Sequence, residues 1–124
     1  METNNLAIML TDVKGFTGKT SKQSRSQMME MLERHKTLIV PVIKKYNGRL
    51  VKTIGDAFLA TFESPTDCVL CGMGIQETLK NYNSGRPEDE QIEVKVAINS
   101  GEVTVTPEGD VFGEAVNIAS RIEG

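Results

Sequence analysis

The stretch RLVKTIGDAFLATF, residues 49–62, is the clearest structural signal in this chain. Two short runs rich in Val, Ile, Leu and Phe, which favour strands, flank a polar break at Gly55 and Asp56. Two such runs joined by a tight polar break predict a β-hairpin. We therefore expect two neighbouring strands in a sheet, with Asp56 in the turn between them.

Upstream of this hairpin the sequence predicts a strand followed by a helix. The apolar run Leu6–Leu10 indicates a buried strand, which ends at Asp12 and leads into a loop. Apolar residues recur at helical spacing from Ser24 to Tyr46, and Pro41 should bend this helix or split it in two. Asp12 is therefore, like Asp56, expected where a strand gives way to a turn.

Downstream of the hairpin the sequence predicts two further helices and two further strands. Ser64 to Asp67 has the S-x-x-D form of a helix start, with Pro65 at the first helical position. Gly101 is expected to turn the chain between the two strands. The expected elements are a helix to about Tyr82, a surface loop over 83–91, strands over 92–99 and 103–106, and a helix over 114–123. Because strands and helices alternate, we predict a mixed α/β sandwich with helices packed on a sheet.

The composition of the 124 residues limits the classes of function. With 39% hydrophobic and 25% charged residues, the chain fits one soluble globular domain spanning residues 1–124. A net charge of -3 argues against a nucleic-acid binder that relies on a broad basic face. The sequence has neither an apolar run of about 18 residues nor a secretory signal, so we expect a cytoplasmic domain without membrane contact.

The two cysteines and the single histidine carry weaker signals. Cys68 and Cys71 form a C-x-x-C pattern, which zinc and redox sites use, but no second Cys or His pair accompanies it. Because both fall in a helical pattern, we interpret them as buried small apolar residues. His35 lies in a helical segment without a partner motif, and we interpret it as a surface or packing residue.

Asp12 and Asp56 are the candidate metal ligands. Carboxylates at strand ends and turns suit hard cations, and neighbouring strands would let the pair share two Mg²⁺ ions. The backbone amides of Lys14, Gly15 and Phe16 could then meet phosphate oxygens. Asp and Gly are also common in ordinary turns, so the residues alone leave the metal and turn readings open and favour the turn.

Three motifs read together resemble those of class III adenylyl and guanylyl cyclases. They are D-V-K-G-F-T (Asp12–Thr17), K-T-I-G-D-A (Lys52–Ala57) and D-V-F-G-E-A-V-N-I-A-S-R (Asp110–Arg121), in the family's order and approximate spacing. The segment I-N-S-G-E-V (Ile98–Val103) also resembles the family's strand and turn before the last motif. The resemblance implies an α+β fold, a ferredoxin-like sandwich whose mostly antiparallel central sheet is flanked by helices.

The resemblance also implies where the metals and the phosphates bind. Asp12 and Asp56 match the family's two metal-binding aspartates, with the Val13 carbonyl as a further ligand of two divalent ions, Mg²⁺ or Mn²⁺. The loop after Asp12 would contact the substrate, through Lys14, Gly15, Phe16 and Thr17.

Four further residues match the family's base-reading and catalytic positions. Lys52 and Asp110 match its purine-recognition pair, and their donor and acceptor pattern suits adenine rather than guanine. Asn117 and Arg121 match its ribose-orienting and phosphate-stabilising residues, and their i, i+4 spacing puts them on one helix face. The implied activity is conversion of ATP to cyclic AMP and pyrophosphate, with each site completed by a second copy of the domain.

Two departures from the family pattern lead us to expect weak pairing and low activity. Only seven residues separate Glu102 from Asp110, which is shorter than the family's usual dimerisation arm. The sequence stops at Gly124, before the family's final strand pair and its phosphate-contacting Lys, so a minimal or C-terminally truncated domain is expected.

Two other functions remain open alongside adenylate cyclase. One is a non-catalytic cyclase-homology module that binds nucleotide or a partner, although such a module has no need of both metal-binding aspartates. The other is a guanylate cyclase, which would be expected to carry Glu at position 52 and a small residue such as Cys or Ser at position 110.

Overall fold

The computed structural model describes residues 2–14 and 24–123. These residues form five strands, three α-helices and a short 3-10 turn at Glu88–Glu90. In chain order the main elements are β1 (Glu2–Val13), α1 (Arg25–Lys45), β2 (Arg49–Ile54), β3 (Ala57–Phe62), α2 (Pro65–Asn83), β4 (Val94–Val105), β5 (Val111–Phe112) and α3 (Glu114–Glu123). Among the described helices, none combines the length and the apolar character needed to cross a membrane.

The five strands form one antiparallel sheet in the order β2-β3-β1-β4-β5. The predicted hairpin is confirmed as β2 and β3, with Ile54 opposite Ala57 across the turn that contains Asp56. β1 lies at the centre, paired with β3 on one side and β4 on the other. The predicted α+β sandwich with a mostly antiparallel sheet is therefore confirmed.

The helix starts follow from local capping. The Ser24 hydroxyl accepts a hydrogen bond from the Gln27 amide at 3.1 Å, and the Gln27 side chain accepts one from the Ser24 amide. Ser64 accepts from the Asp67 amide in the same way, which confirms the predicted start of α2. α1 runs through Pro41 as one helix, so the two-piece alternative is wrong.

The sheet buries apolar residues on both faces because side chains alternate along each strand. The first face, which α1 and α2 cover, carries residues such as Met9, Phe58 and Phe62. The second face carries Ile8, Leu10 and Leu59, and α3 covers it through Ala115 and Ala119. Asp12 follows Leu10 by two residues and so belongs to the second face.

The cysteines and the histidine are buried under the first face. Cys68 and Cys71 are both 0% exposed, which confirms burial, and desolvation raises their thiol pKa values to about 12 and about 11. Thiols with such pKa values stay protonated and unreactive at neutral pH. His35 is also a packing residue, stacked on Phe58 with ring centroids 4.6 Å apart.

The prediction for the fourth strand is wrong. Instead of two strands separated by a turn at Gly101, β4 runs unbroken from Val94 to Val105. The reason is its partner, because β1 pairs with it continuously from Glu2 to Val13. At Gly101 a Cβ atom would lie 3.2 Å from that of Ala115, so this glycine lets α3 pack closely on β4.

Candidate active site

Asp12 and Asp56 come together because β1 and β3 are neighbours. Asp12 is the penultimate residue of β1, and Asp56 lies in the turn just before β3. The ladder pairs Thr11 with Phe58, which brings the strand end and the turn to the same edge of the sheet. The Val13 amide donates a hydrogen bond to Asp56 Oδ2 at 3.0 Å and fixes the carboxyl of Asp56.

The two carboxyl groups interact directly. Burial raises the pKa of Asp56, and a hydrogen bond with the Asp12 side chain raises it further, while the Val13 amide acts in the opposite direction. The first two effects favour the protonated form of Asp56, so holding two ionised carboxylates this close together costs free energy. Two carboxylates this close together suit a divalent cation, which would offset their mutual repulsion.

The described residues contribute two acidic side chains to this centre and not a larger cluster. Within residues 2–14 and 24–123, no group of three or more His, Cys, Asp or Glu side chains is arranged to hold a metal. Any further ligands in this region would therefore be backbone carbonyls, such as that of Val13, or oxygens of the substrate itself.

Lys14 is the first residue of the predicted phosphate loop and the last one described before a gap. Its amide donates to the Glu93 carbonyl at 2.7 Å, so this N–H extends the β1–β4 ladder. Its ammonium lies 3.6 Å from Glu93 Oε2, and both side chains are exposed. Because its amide is already bonded, Lys14 would contact a phosphate through its side chain. Gly15, Phe16 and Thr17 lie outside the described residues.

Lys52 and Asp110, 58 positions apart in sequence, form an ion pair. Lys52 Nζ lies 3.1 Å from each carboxylate oxygen of Asp110. The hydrogen bond from Lys52 lowers the pKa of Asp110, helped by the Val111 amide, which donates to Oδ1 at 2.8 Å. Both side chains are about 40% exposed, at 43% and 42%, so the pair is open to solvent and to a ligand.

A β-bulge in β2 turns Lys52 towards the second face. The β2–β3 register pairs Leu50 with Ala60 and then Lys52 with Leu59, which leaves Val51 as an extra residue. In a regular strand Lys52 would share the face of Leu50, which packs against α1 and α2. The bulge is therefore what allows Lys52 to reach Asp110. Sequence reasoning missed it, since no glycine marks the position.

α3 carries the two remaining candidates. The Asn99 side-chain amide donates to the Ala115 carbonyl at 3.2 Å, which ties the start of α3 to β4. Asn117 is exposed on this helix. Arg121 lies one turn later on α3, but its side chain is outside the described part of the chain.

The metal candidates and Asp110 lie at opposite ends of the β1–β4 pair. Asp12 is opposite Lys95 at the start of β4, whereas Asp110 follows Val105 at its end. Lys52 lies on the same side as the carboxylate pair, because its partner Leu59 is opposite Leu10, two residues before Asp12. Lys52 and Asp110 meet although β2 and β5 are the two edge strands, so the sheet curls across its second face.

Comparison with known proteins identifies the family. The adenylate and guanylate cyclase catalytic domain model matches residues 1–124, which is the whole chain. The serine/threonine-protein kinase pkn2 of Myxococcus xanthus is 44% identical over 119 residues, covering 96% of this chain and 14% of that protein. The putative adenylate cyclase 3 of Rhizobium meliloti is 32% identical over 117 residues, covering 94% of this chain and 20% of that protein.

A solved structure agrees with this match. The crystal structure of an adenylate/guanylate cyclase/hydrolase from Silicibacter pomeroyi superposes with a TM-score of 0.85 at 30% identity, covering 99% of this chain and 70% of that one. This chain spans a fifth or less of the two curated relatives named above. With its fold, its motifs and its full-length family match in agreement, the chain belongs to the adenylate and guanylate cyclase catalytic-domain family.

Proposed function

We propose that this chain is an adenylate cyclase domain that converts ATP to cyclic AMP and pyrophosphate. The observation that carries the choice of base is the contact between Lys52 and Asp110, 3.1 Å apart and exposed to solvent. Membership of the family leaves the base open, because the family contains both adenylate and guanylate cyclases.

Hydrogen-bond matching favours adenine over guanine at this pair. Adenine offers an acceptor at N1 and a donor at its exocyclic amine, so Lys52 can donate to the first and Asp110 can accept from the second. Guanine presents a donor and an acceptor at the corresponding positions, which leaves a cation facing a donor and a carboxylate facing an acceptor. Such a mismatch leaves polar groups unpaired once a bound base covers them, which is disfavoured.

Asp12 and Asp56 would hold two divalent ions, together with the Val13 carbonyl. Bound there, the ions would favour ionisation of the ribose 3′-hydroxyl and neutralise charge on the phosphates. The chain's own part is to keep the two carboxylates together, through the Val13 amide, and to position the nucleotide. Asn117 would orient the ribose, and Arg121 would offset charge that develops on the α-phosphate in the transition state.

We also propose that each site is completed by a second copy of the chain. The family resemblance, which implies sites shared between two copies, supports this, as does the exposure of Lys52, Asp110 and Asn117. A two-fold dimer that brings two second faces together would set the carboxylate pair of one copy against the Lys52–Asp110 pair of the other. It would also create two equivalent sites.

The test is incubation of the chain with ATP or GTP and Mn²⁺ over a range of protein concentrations, with detection of the cyclic product. We expect cyclic AMP, made preferentially over cyclic GMP. The matched control is the double variant Lys52→Glu, Asp110→Cys, whose preference should move towards GTP. Preferential formation of cyclic GMP by the unchanged chain would contradict the assignment.

A non-catalytic module is the second candidate, since one relative carries a similar region in a protein named for another activity. The relative with 44% identity is named for a protein kinase, and the matched region is 14% of that protein. A regulatory module would bind ATP without forming product. Saturable ATP binding, with no cyclic nucleotide even at high protein concentration with Mn²⁺, would favour it over the enzyme.

A further inference from the structure

The loop between β4 and β5, residues 106–110, holds Asp110 in a closed turn. Gly109 donates its amide to the Thr106 carbonyl at 2.9 Å, and the Thr106 amide donates to the Asp110 carbonyl at 2.9 Å. Pro107 occupies the second turn position, and Gly109 has a φ of 90°, which favours glycine. The sequence Thr-Pro-Glu-Gly-Asp therefore closes the hairpin with a defined shape.

The Thr106 side chain adds a third link to this turn. Its hydroxyl oxygen accepts a hydrogen bond from the Asp110 amide at 3.0 Å. Asp110 is thus fixed at its amide and its carbonyl by one residue, and at Oδ1 by the Val111 amide at 2.8 Å. These contacts leave Oδ2, which accepts from Lys52, as the oxygen with no backbone partner among the described contacts.

We propose that Thr106 is a positioning residue that sets base selectivity by fixing the backbone of Asp110, from which the carboxylate reaches Lys52. This inference rests on the proposed function, because it concerns the residues assigned to adenine. If the backbone of Asp110 is free to shift, its carboxylate can move away from a mismatched base, whereas the carboxylate on a fixed backbone cannot. Selectivity therefore depends on the residue that removes this freedom as well as on Asp110 itself.

The effect should be measurable and modest. One neutral hydrogen bond typically changes an equilibrium by about threefold to tenfold. Thr106→Val keeps the shape of the side chain and removes only the acceptor. Thr106→Ser keeps the acceptor, and Thr104→Val makes the same chemical change two residues earlier, opposite Phe112.

The experiment compares the full chain and these variants, with kcat and KM measured separately for ATP and GTP. Thr106→Val should lower kcat/KM for ATP about threefold to tenfold, mainly through KM, and should lower the ATP to GTP ratio. Thr106→Ser and Thr104→Val should keep the ratio of the unchanged chain. If Thr106→Val lowers both nucleotides equally, or Thr104→Val matches its effect, the proposal is wrong.

A second readout needs no turnover. The pKa of Asp110, measured by NMR of its carboxyl carbon, should rise towards its ordinary value in Thr106→Val and stay low in Thr106→Ser. An unchanged Asp110 titration in Thr106→Val would overturn the proposal and leave the cyclase assignment standing. A shifted titration in a chain that makes no cyclic nucleotide would support the positioning role and contradict the proposed function. Thr106→Ala serves both readouts if the valine variant does not fold.

Discussion

Asp56, a proposed metal ligand, destabilises the fold when it is ionised. Its carboxyl accepts the Val13 amide, yet burial and the Asp12 carboxyl raise its pKa. The folded chain without metal therefore binds a proton at Asp56 more tightly than the unfolded chain does. The linked stability is fully present below the ordinary carboxyl pKa and is lost as the pH rises through the raised value.

Replacing Asp56 with Asn should therefore stabilise the fold at neutral pH and abolish cyclase activity. Asn is isosteric, removes one negative charge from the pair and keeps an oxygen for the Val13 amide. We expect a melting temperature a few degrees higher at pH 7.5, equivalent to at most about 1 kcal/mol because the site is partly exposed. The gain should shrink in acid. A lower melting temperature at neutral pH would contradict this account.

His35 predicts a pH dependence of the opposite sense. It is 1% exposed, and desolvation lowers its pKa to about 4, against a smaller opposing effect of the Asp56 charge. Its Nε2 has no hydrogen-bond partner among the described residues. Since the unfolded chain protonates first, the stability that this histidine contributes should fall as the pH drops from 6.5 towards 4.

The variant His35→Phe should flatten that dependence. Phenylalanine keeps the ring stacked on Phe58 and cannot be protonated. The difference in unfolding free energy between pH 7 and pH 5 should decrease by about 1 to 2 kcal/mol, since one pKa unit corresponds to about 1.4 kcal/mol. Comparing the two pH values within each protein removes any constant packing effect. An unchanged difference would show that His35 is not the group responsible.

At the scale of single elements, what the sequence predicted well was local. The β2–β3 hairpin and the caps at Ser24 and Ser64 each depend on a few adjacent residues, so the pattern was sufficient. The unbroken β4 and the Val51 bulge depend on pairing with distant strands, which no local pattern contains. The candidate site follows the same rule: the motifs identified Lys52 and Asp110, whereas the bulge that lets them meet depends on distant pairing.

Gly101 was expected in a turn, but it lies inside β4, where its missing side chain allows close packing of α3. Its missing side chain lets the Ala115 Cβ atom approach within 3.2 Å of where a Cβ would stand, so Gly101→Val should push α3 away from β4. We expect kcat to fall about tenfold or more, because Asn117 and Arg121 lie on that helix. The control Gly72→Ala adds a Cβ with ordinary contacts of 3.4 Å or more and should keep its activity. Equal losses in both variants would argue against a role for α3 placement.

At the scale of the whole molecule, the proposed shared site depends on the second face of the sheet. This face carries Asp12 near the end of β1 and the exposed ion pair of Lys52 and Asp110. Exposed Ile54 lies two residues beyond Lys52 on the same face, so apolar surface accompanies the polar pair. A face with this combination is suited to being covered by a substrate and a second chain together.

The most direct test mixes two inactive variants, Asp12→Ala and Arg121→Ala. If each site takes Asp12 from one copy and Arg121 from the other, a mixed dimer contains one intact site. An equal mixture should recover about a quarter of the activity of the unchanged chain, since half of the dimers are mixed and each has one working site of two. Activity per chain in the mixture should also fall on dilution. A mixture as inactive as its components, beside an unchanged chain that makes cyclic AMP at a rate per chain independent of concentration, would contradict the shared site.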